Sequence, residues 1–238
     1  MIQAITFDLW NTLFNNKSYS ELRIQKLFRY LQEKEITVPF DEFKNAFDTK
    51  FHFSEVTFEE INFRHIFTEE RISSVLNEIN IELLQADLEI IKEEFESIML
   101  QDPPTLKKGV KSTLRILTPD FKIGLISNTG VTPGSILSEV LERYDILQYF
   151  DETIYSDEIG YFKPHRKMFK IPLEKFNCKP QNAIHIGDML ETDVRGAKEF
   201  NMLTAWFNDS NKTRSSDIVP DYEIQQITEV IQIVQSLS

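Results

Sequence analysis

Beyond Pro103-Pro104 the chain alternates short strand-like runs with stretches whose apolar residues recur at helical spacing, and this alternation limits the fold more than any other feature. The runs cover residues 121–126, 152–156, 182–186 and 203–207. Each is too short for a helix of ordinary length, and turn-forming residues bound them. Helical patterns lie at 109–117, after Thr132-Pro133, from Lys163-Pro164 to about 176, and at 193–200. Threonine followed by proline suits a helix start. Strands and helices in alternation give parallel strands joined by helical crossovers, a doubly wound, Rossmann-like α/β sheet. Residues 222–224 add an expected edge strand before a last helix at 227–237.

One more strand stands apart, Ala4 to Phe7, and it ends in Asp8. It buries both faces only by joining the same sheet. Residues 15–100 have a different pattern. Ser18 and Glu21 have capping-box spacing, ahead of a stripe of Ile24, Leu27, Phe28 and Leu31. Pro39 precedes a second stripe of Phe40, Phe43, Phe47 and Phe51. Thr57 and Glu60 have the spacing of another box, expected to open a third helix or helix pair through about Ile79. Leu88, Ile91, Phe95 and Ile98 mark a fourth. Successive amphipathic helices without an intervening strand imply a small α-helical bundle. The expected organisation is a core domain of residues 1–14 and 101–238, with a helical cap of 15–100 inserted after the first strand.

The net charge of −12 argues against a nucleic-acid surface, which needs clustered Lys and Arg. An anionic small substrate would be repelled overall, so its site needs local positive charge. No apolar stretch approaches the roughly 20 residues of a membrane span. The chain does not open with a basic region followed by an apolar one, and its single cysteine, Cys178, has no internal partner. A cytoplasmic setting without membrane association is expected.

Asp8 would stand at the carboxyl end of its strand, the rim where open α/β sheets bind ligands. Taken alone, an Asp there is more often a turn former. Three further stretches change this: Leu125-Ile126-Ser127-Asn128-Thr129, Gly160-Tyr161-Phe162-Lys163-Pro164, and Ile184-His185-Ile186-Gly187-Asp188-Met189-Leu190-Glu191-Thr192-Asp193. With Asp8, in this order, they resemble the four motifs of the haloacid dehalogenase-like hydrolase superfamily, over residues 2 to about 233. The resemblance implies a helical cap at the point where one is expected here, and a phosphatase-type metal motif, Gly187-Asp188 with Asp193. It implies Asp8 as a nucleophile giving an aspartyl-phosphate, with Ser127 and Lys163 as its catalytic partners. Thr12, Ser127, Asn128 and Lys163 would bind a small phosphorylated substrate. Mg²⁺ would be held by Asp8, the backbone carbonyl of Trp10, Asp188 and Asp193.

One position departs from the family's phosphatases, which carry an aspartate two residues after the nucleophile. Here that residue is Trp10, whose indole has no titratable group in the working range. Metal-dependent phosphohydrolase is the first expectation. A metal-independent haloacid dehalogenase is the nearest rival, because those relatives commonly carry an aromatic residue at this point. Phosphonate cleavage through a cap lysine, such as Lys17, Lys26, Lys34, Lys44 or Lys50, is another. A phospho-ligand-binding protein with little or no activity is the non-enzymatic alternative. The sequence leaves substrate and oligomeric state open.

Overall fold

Strand β1, Ala4–Phe7, is buried at every residue because it lies in the middle of the sheet, between β2, Lys122–Ser127, and β4, Ala183–Gly187. The computed structural model, which describes residues 1–52, 59–213 and 217–237, places β3, Glu152–Tyr155, outside β2. On the other side, β5, Leu203–Phe207, and β6, Tyr222–Ile224, follow β4. All five strand pairs are parallel, in the order β3-β2-β1-β4-β5-β6. This is the doubly wound sheet expected from the alternation. The winding reverses between β1 and β4, which puts the carboxyl ends carrying Asp8 and Asp188 side by side at the switch point.

Among the described residues of 20–97, four helices have defined bounds: α1, Ser20–Glu33; α2, Phe40–Lys50; α3, Thr68–Glu78; and α4, Gln85–Ser97. Their apolar stripes close on one another. Ile24, Leu27, Phe43, Phe47, Ile72, Val75, Ile91 and Phe95 form a hydrophobic cluster separate from the one built on the sheet. The Phe-rich pattern is thus core packing: the Phe47 and Phe51 rings stack at 4.3 Å, and Phe95 meets Phe51 edge-on at 5.7 Å. Phe40, at the end of its stripe, is 42% exposed.

Helix starts differ from expectation. Tyr19, not Ser18, is the residue before α1 and makes no side-chain cap, while the Ser18 hydroxyl accepts from the Ser20 N–H at 3.4 Å. Thr57 lies outside the described residues, and α3 begins at Thr68, beyond Glu60. Thr132 does not cap the helix Gly134–Arg143; the Asp157 carboxylate, reaching from the segment after β3, accepts from the Gly134 N–H at 3.2 Å. Lys163-Pro164 precedes a helix that begins only at Arg166, with the His165 imidazole accepting from the Lys167 N–H at 3.3 Å. At Gly134 a partner supplied by the fold replaces the local side chain. Cys178 is half-buried and packs beside the helix Arg166–Lys175.

The helical layer meets the sheet through backbone hydrogen bonds. The Phe162 N–H donates to the Phe63 carbonyl at 2.7 Å, and the His65 N–H to the Gly160 carbonyl at 2.9 Å. These bonds lie directly against the loop that delivers Lys163.

Candidate active site

Asp8, Lys163, Asp188 and Asp193 come from three separate stretches of chain and meet at the carboxyl end of the sheet, buried to 6% exposure or less. Lys163 is the hub. Its ammonium donates to Asp8 Oδ1 at 2.5 Å, to Asp193 Oδ1 at 2.6 Å and to the Ile126 carbonyl at 2.8 Å. Three N–H donors meet three acceptors, so the group is saturated. Burial opposes its charge, yet Asp193 and Asp8 outweigh that and raise its pKa.

Asp193 reaches Lys163 because the chain after β4 forms a π-helical turn, Leu190–Val194, rather than the regular helix expected from residue 193. Such turns recur at functional sites. Asp193 Oδ2 accepts from the Met189 N–H at 3.0 Å, and Oδ1 also faces His185 Nε2 at 3.3 Å. Gly187 leaves the room: a Cβ there would lie 2.3 Å from the Asp193 carboxyl carbon. Burial pushes the Asp193 pKa up, but Lys163 and His185 prevail and hold it well below the usual carboxylate range.

The other two carboxylates are destabilised as anions. Burial, with Asp193 and Asp188 adding repulsion, pushes Asp8 up to about 7 against the pull of Lys163. Burial and Asp193 push Asp188 up to about 6. Asp188 Oδ2 is buried and accepts no hydrogen bond among the described residues; Lys212 Nζ stands off at 3.7 Å. Asp8, Asp188 and Asp193 each offer an oxygen, all within 4.8 Å of one another. Hard oxygen donors with an orphaned buried carboxylate oxygen suit a divalent cation such as Mg²⁺.

The remaining expected site residues divide. Thr12 lies behind the nucleophile position, its hydroxyl donating to Asp8 Oδ2 at 3.2 Å, and does not line the cavity. Asn128 does line it, but its amide clamps the Lys163 backbone: Oδ1 accepts from Lys163 N–H at 2.7 Å and Nδ2 donates to Lys163 O at 3.4 Å. Ser127 Oγ is buried with no hydrogen-bond partner among the described residues. Trp10 lines the cavity beside Asp8 and packs against the sheet core. Glu191 also reaches the cavity wall.

The cavity, about 510 Å³, is also lined by Tyr19, Arg23, Phe63 and Arg71. The two histidines of the helical region do not line it. His52 contacts Ser20 at 3.3 Å, and His65 is buried against Ser156 at 3.1 Å. Burial pushes the His65 pKa down from 6.5 to about 4, so the folded protein resists protonating it. Above about pH 6.5 both states hold it neutral; between there and about 4 only the unfolded chain takes the proton. Stability should therefore fall by up to about 3 kcal/mol over that window. Urea midpoints of the native protein and His65→Gln, compared at about pH 7 and about pH 4.5, should show a larger acid loss in the native protein.

Sequence patterns left two contributors unmarked. His185 and Thr6 are cross-strand neighbours on β4 and β1, with Thr6 Oγ1 at 2.9 Å from His185 Nδ1. They extend the network Asp8–Lys163–Asp193 into the sheet. A histidine in a wholly buried strand was the available signal.

A family model for haloacid dehalogenase-like hydrolases matches residues 2–201. The chain belongs to that family. It is therefore a hydrolase by family. Glyceraldehyde 3-phosphate phosphatase of Methanocaldococcus jannaschii is 25% identical over 238 residues, 100% of this chain and 99% of the relative. Pyrimidine 5'-nucleotidase YjjG of Escherichia coli is 30% identical over 128 residues, 53% of this chain and 55% of that protein, so the match spans about half of it. Among solved structures, a 2-haloacid dehalogenase of Pseudomonas syringae superposes with a TM-score of 0.76 at 21% identity, covering 100% of both chains; at that identity the likeness concerns the fold. No helix of the described residues is long and apolar enough to cross a membrane.

Proposed function

We propose that this hydrolase is a Mg²⁺-dependent phosphatase of a small phosphorylated metabolite, working through an aspartyl-phosphate on Asp8. The observation that carries the proposal is the cluster of Asp8, Asp188 and Asp193, whose carboxylate oxygens lie within 4.8 Å of one another around a saturated lysine. Relatives named as phosphatases support the reaction class. The proposal divides the chain into a core of 1–14 and 101–238 and a cap of 15–100, which supplies part of the cavity lining.

Asp8, the Trp10 carbonyl and Asp188 would hold the ion, with Asp193 behind them. When bound, Mg²⁺ neutralises charge between two anions and favours in-line displacement. Asp8 attacks phosphorus, the bond to the leaving oxygen breaks, and water later cleaves the acyl phosphate. Lys163, with its donors committed, holds the Asp8 carboxylate aimed and supplies a fixed charge. The Ser127 hydroxyl, buried without a partner among the described residues, would serve a phosphoryl oxygen. Excess chelator should abolish phosphate release and added Mg²⁺ restore it. Halide release from a 2-haloacid, undiminished in chelator, would favour the metal-free dehalogenase reading, which the aromatic Trp10 otherwise recommends.

Trp10 donates no proton to the leaving group, and no histidine lines the cavity among the described residues. The rate should therefore depend steeply on leaving-group acidity, with aryl and acyl phosphates cleaved faster than alkyl ones. Trp10→Asp should raise alkyl phosphate hydrolysis more than acyl phosphate hydrolysis, by up to the general-acid contribution of about 10²–10⁴-fold, less whatever the lost indole volume costs. A leaving-group series on both proteins checks this, and equal slopes would point to another proton donor, with Glu59 and Glu191 on the cavity wall the first to replace.

A further inference from the structure

Arg23 sits on the cavity wall contributed by α1, only 7% exposed, and no carboxylate among the described residues comes within ion-pair distance of it. Its hydrogen bonds all go to neutral acceptors. Nε and Nη2 donate to the Phe95 carbonyl at 3.3 and 3.1 Å, and Nη2 also to the Thr132 hydroxyl at 3.4 Å. The Tyr19 ring lies 5.7 Å from the guanidinium carbon. Phe95 is in the last turn of α4, whose carbonyls need donors. That accounts for one edge of the guanidinium and leaves Nη1 without a hydrogen bond among the described residues. Arg71, equally buried, brings a second guanidinium to the same wall, donating to the Ile66 and Phe51 carbonyls. Glu96 supports the Arg23 charge only from beyond ion-pair distance; a buried charge without a direct ion pair is costly, and a neutral donor would have satisfied the Phe95 carbonyl equally well. In a chain of net charge −12, Arg23 and Arg71 line the same cavity as Asp8, Asp188 and Asp193.

We propose that Arg23 receives a second anionic group of the substrate, a carboxylate or a phosphate, carried on the same small molecule as the phosphoryl group that reaches Asp8. This rests on the phosphatase proposal for its second half only. The guanidinium fork suits planar or tetrahedral oxyanions, and Thr132 beside it offers a hydroxyl to the same group. The substrate class is then a phosphorylated small acid or a bisphosphate, in preference to a phosphorylated neutral sugar or alcohol.

The test is calorimetric binding, with Mg²⁺ present, of three non-hydrolysable probes: phosphonopropionate, propane bisphosphonate and propylphosphonate. The native protein should bind at least one doubly anionic probe about tenfold or more tightly than propylphosphonate. Which of the two prevails identifies the second group as carboxylate or phosphate. Arg23→Gln, which keeps a donor for the Phe95 carbonyl, should collapse that ratio toward one, and Arg23→Lys should retain part of it. Equal binding of all three probes by the native protein overturns the proposal, as does a ratio that survives Arg23→Gln; the first result needs no variant to fold. Phosphate release from phosphoglycerate and glycerol phosphate is followed in parallel. No release with the binding ratio intact defeats the phosphatase reading alone and leaves the Arg23 site standing.

Discussion

Asp8→Asn should fold like the native protein and lose turnover by about 10⁴-fold or more, the scale seen when a nucleophile is removed. The two halves of this expectation have separate causes. Burial and two neighbouring acids already push the Asp8 carboxyl up to about 7, so its charge adds little net stability at neutral pH. An amide of the same shape keeps an oxygen for Lys163 or Thr12, and Lys163 retains Asp193 and the Ile126 carbonyl. Urea midpoints should agree to within about 1 kcal/mol. Chemistry has no such tolerance, because the amide oxygen is a poor nucleophile toward phosphorus. Rapid acid quench of the native enzyme, followed by peptide mass spectrometry, should find phosphate on the peptide containing Asp8. Turnover that survives the substitution, or phosphate on another residue, would displace Asp8 from its role.

Lys163→Met should cost both stability and activity. It removes one cation from two buried carboxylates and a buried carbonyl, leaving Asp8 and Asp193 facing each other uncompensated. Breaking a buried pair in this way costs about 3–5 kcal/mol. Lys163→Arg should not rescue it, since a planar fork cannot reproduce three bonds radiating from one nitrogen. Chemical denaturation of the three proteins measures the first effect and phosphate release the second. A Lys163→Met protein as stable as the native one would mean that the cluster is relaxed by water or by proton uptake at Asp8.

The sheet was legible in the sequence because burial imposes period and run length on the residues themselves. Ala4–Phe7 and Leu203–Phe207 occupy their expected residues, and the strands pair in parallel as the alternation requires. Asp8, Lys163, Asp188 and Asp193 were legible through motif resemblance; the first three lie at a strand end or in a loop, and Asp193 in the π-helical turn after β4.

What those residues do to one another was decided by the tertiary structure. Lys163 and Asp8 are 155 residues apart, and nothing local indicates that the ammonium would be saturated. Asn128 and Thr12 look like ligands for a substrate, yet packing turns one to the Lys163 backbone and the other to Asp8. The local cap at Thr132 went unused, because the Asp157 carboxylate, distant along the chain but near in space, takes the Gly134 N–H. Arg23 shows the boundary most plainly. Its place beside Ile24 and Leu27 on an amphipathic helix is written in the sequence, but only tertiary packing makes it a buried charge on the cavity that Asp8 also lines. Periodicity encodes which face is buried; what that face meets depends on the other elements of the fold.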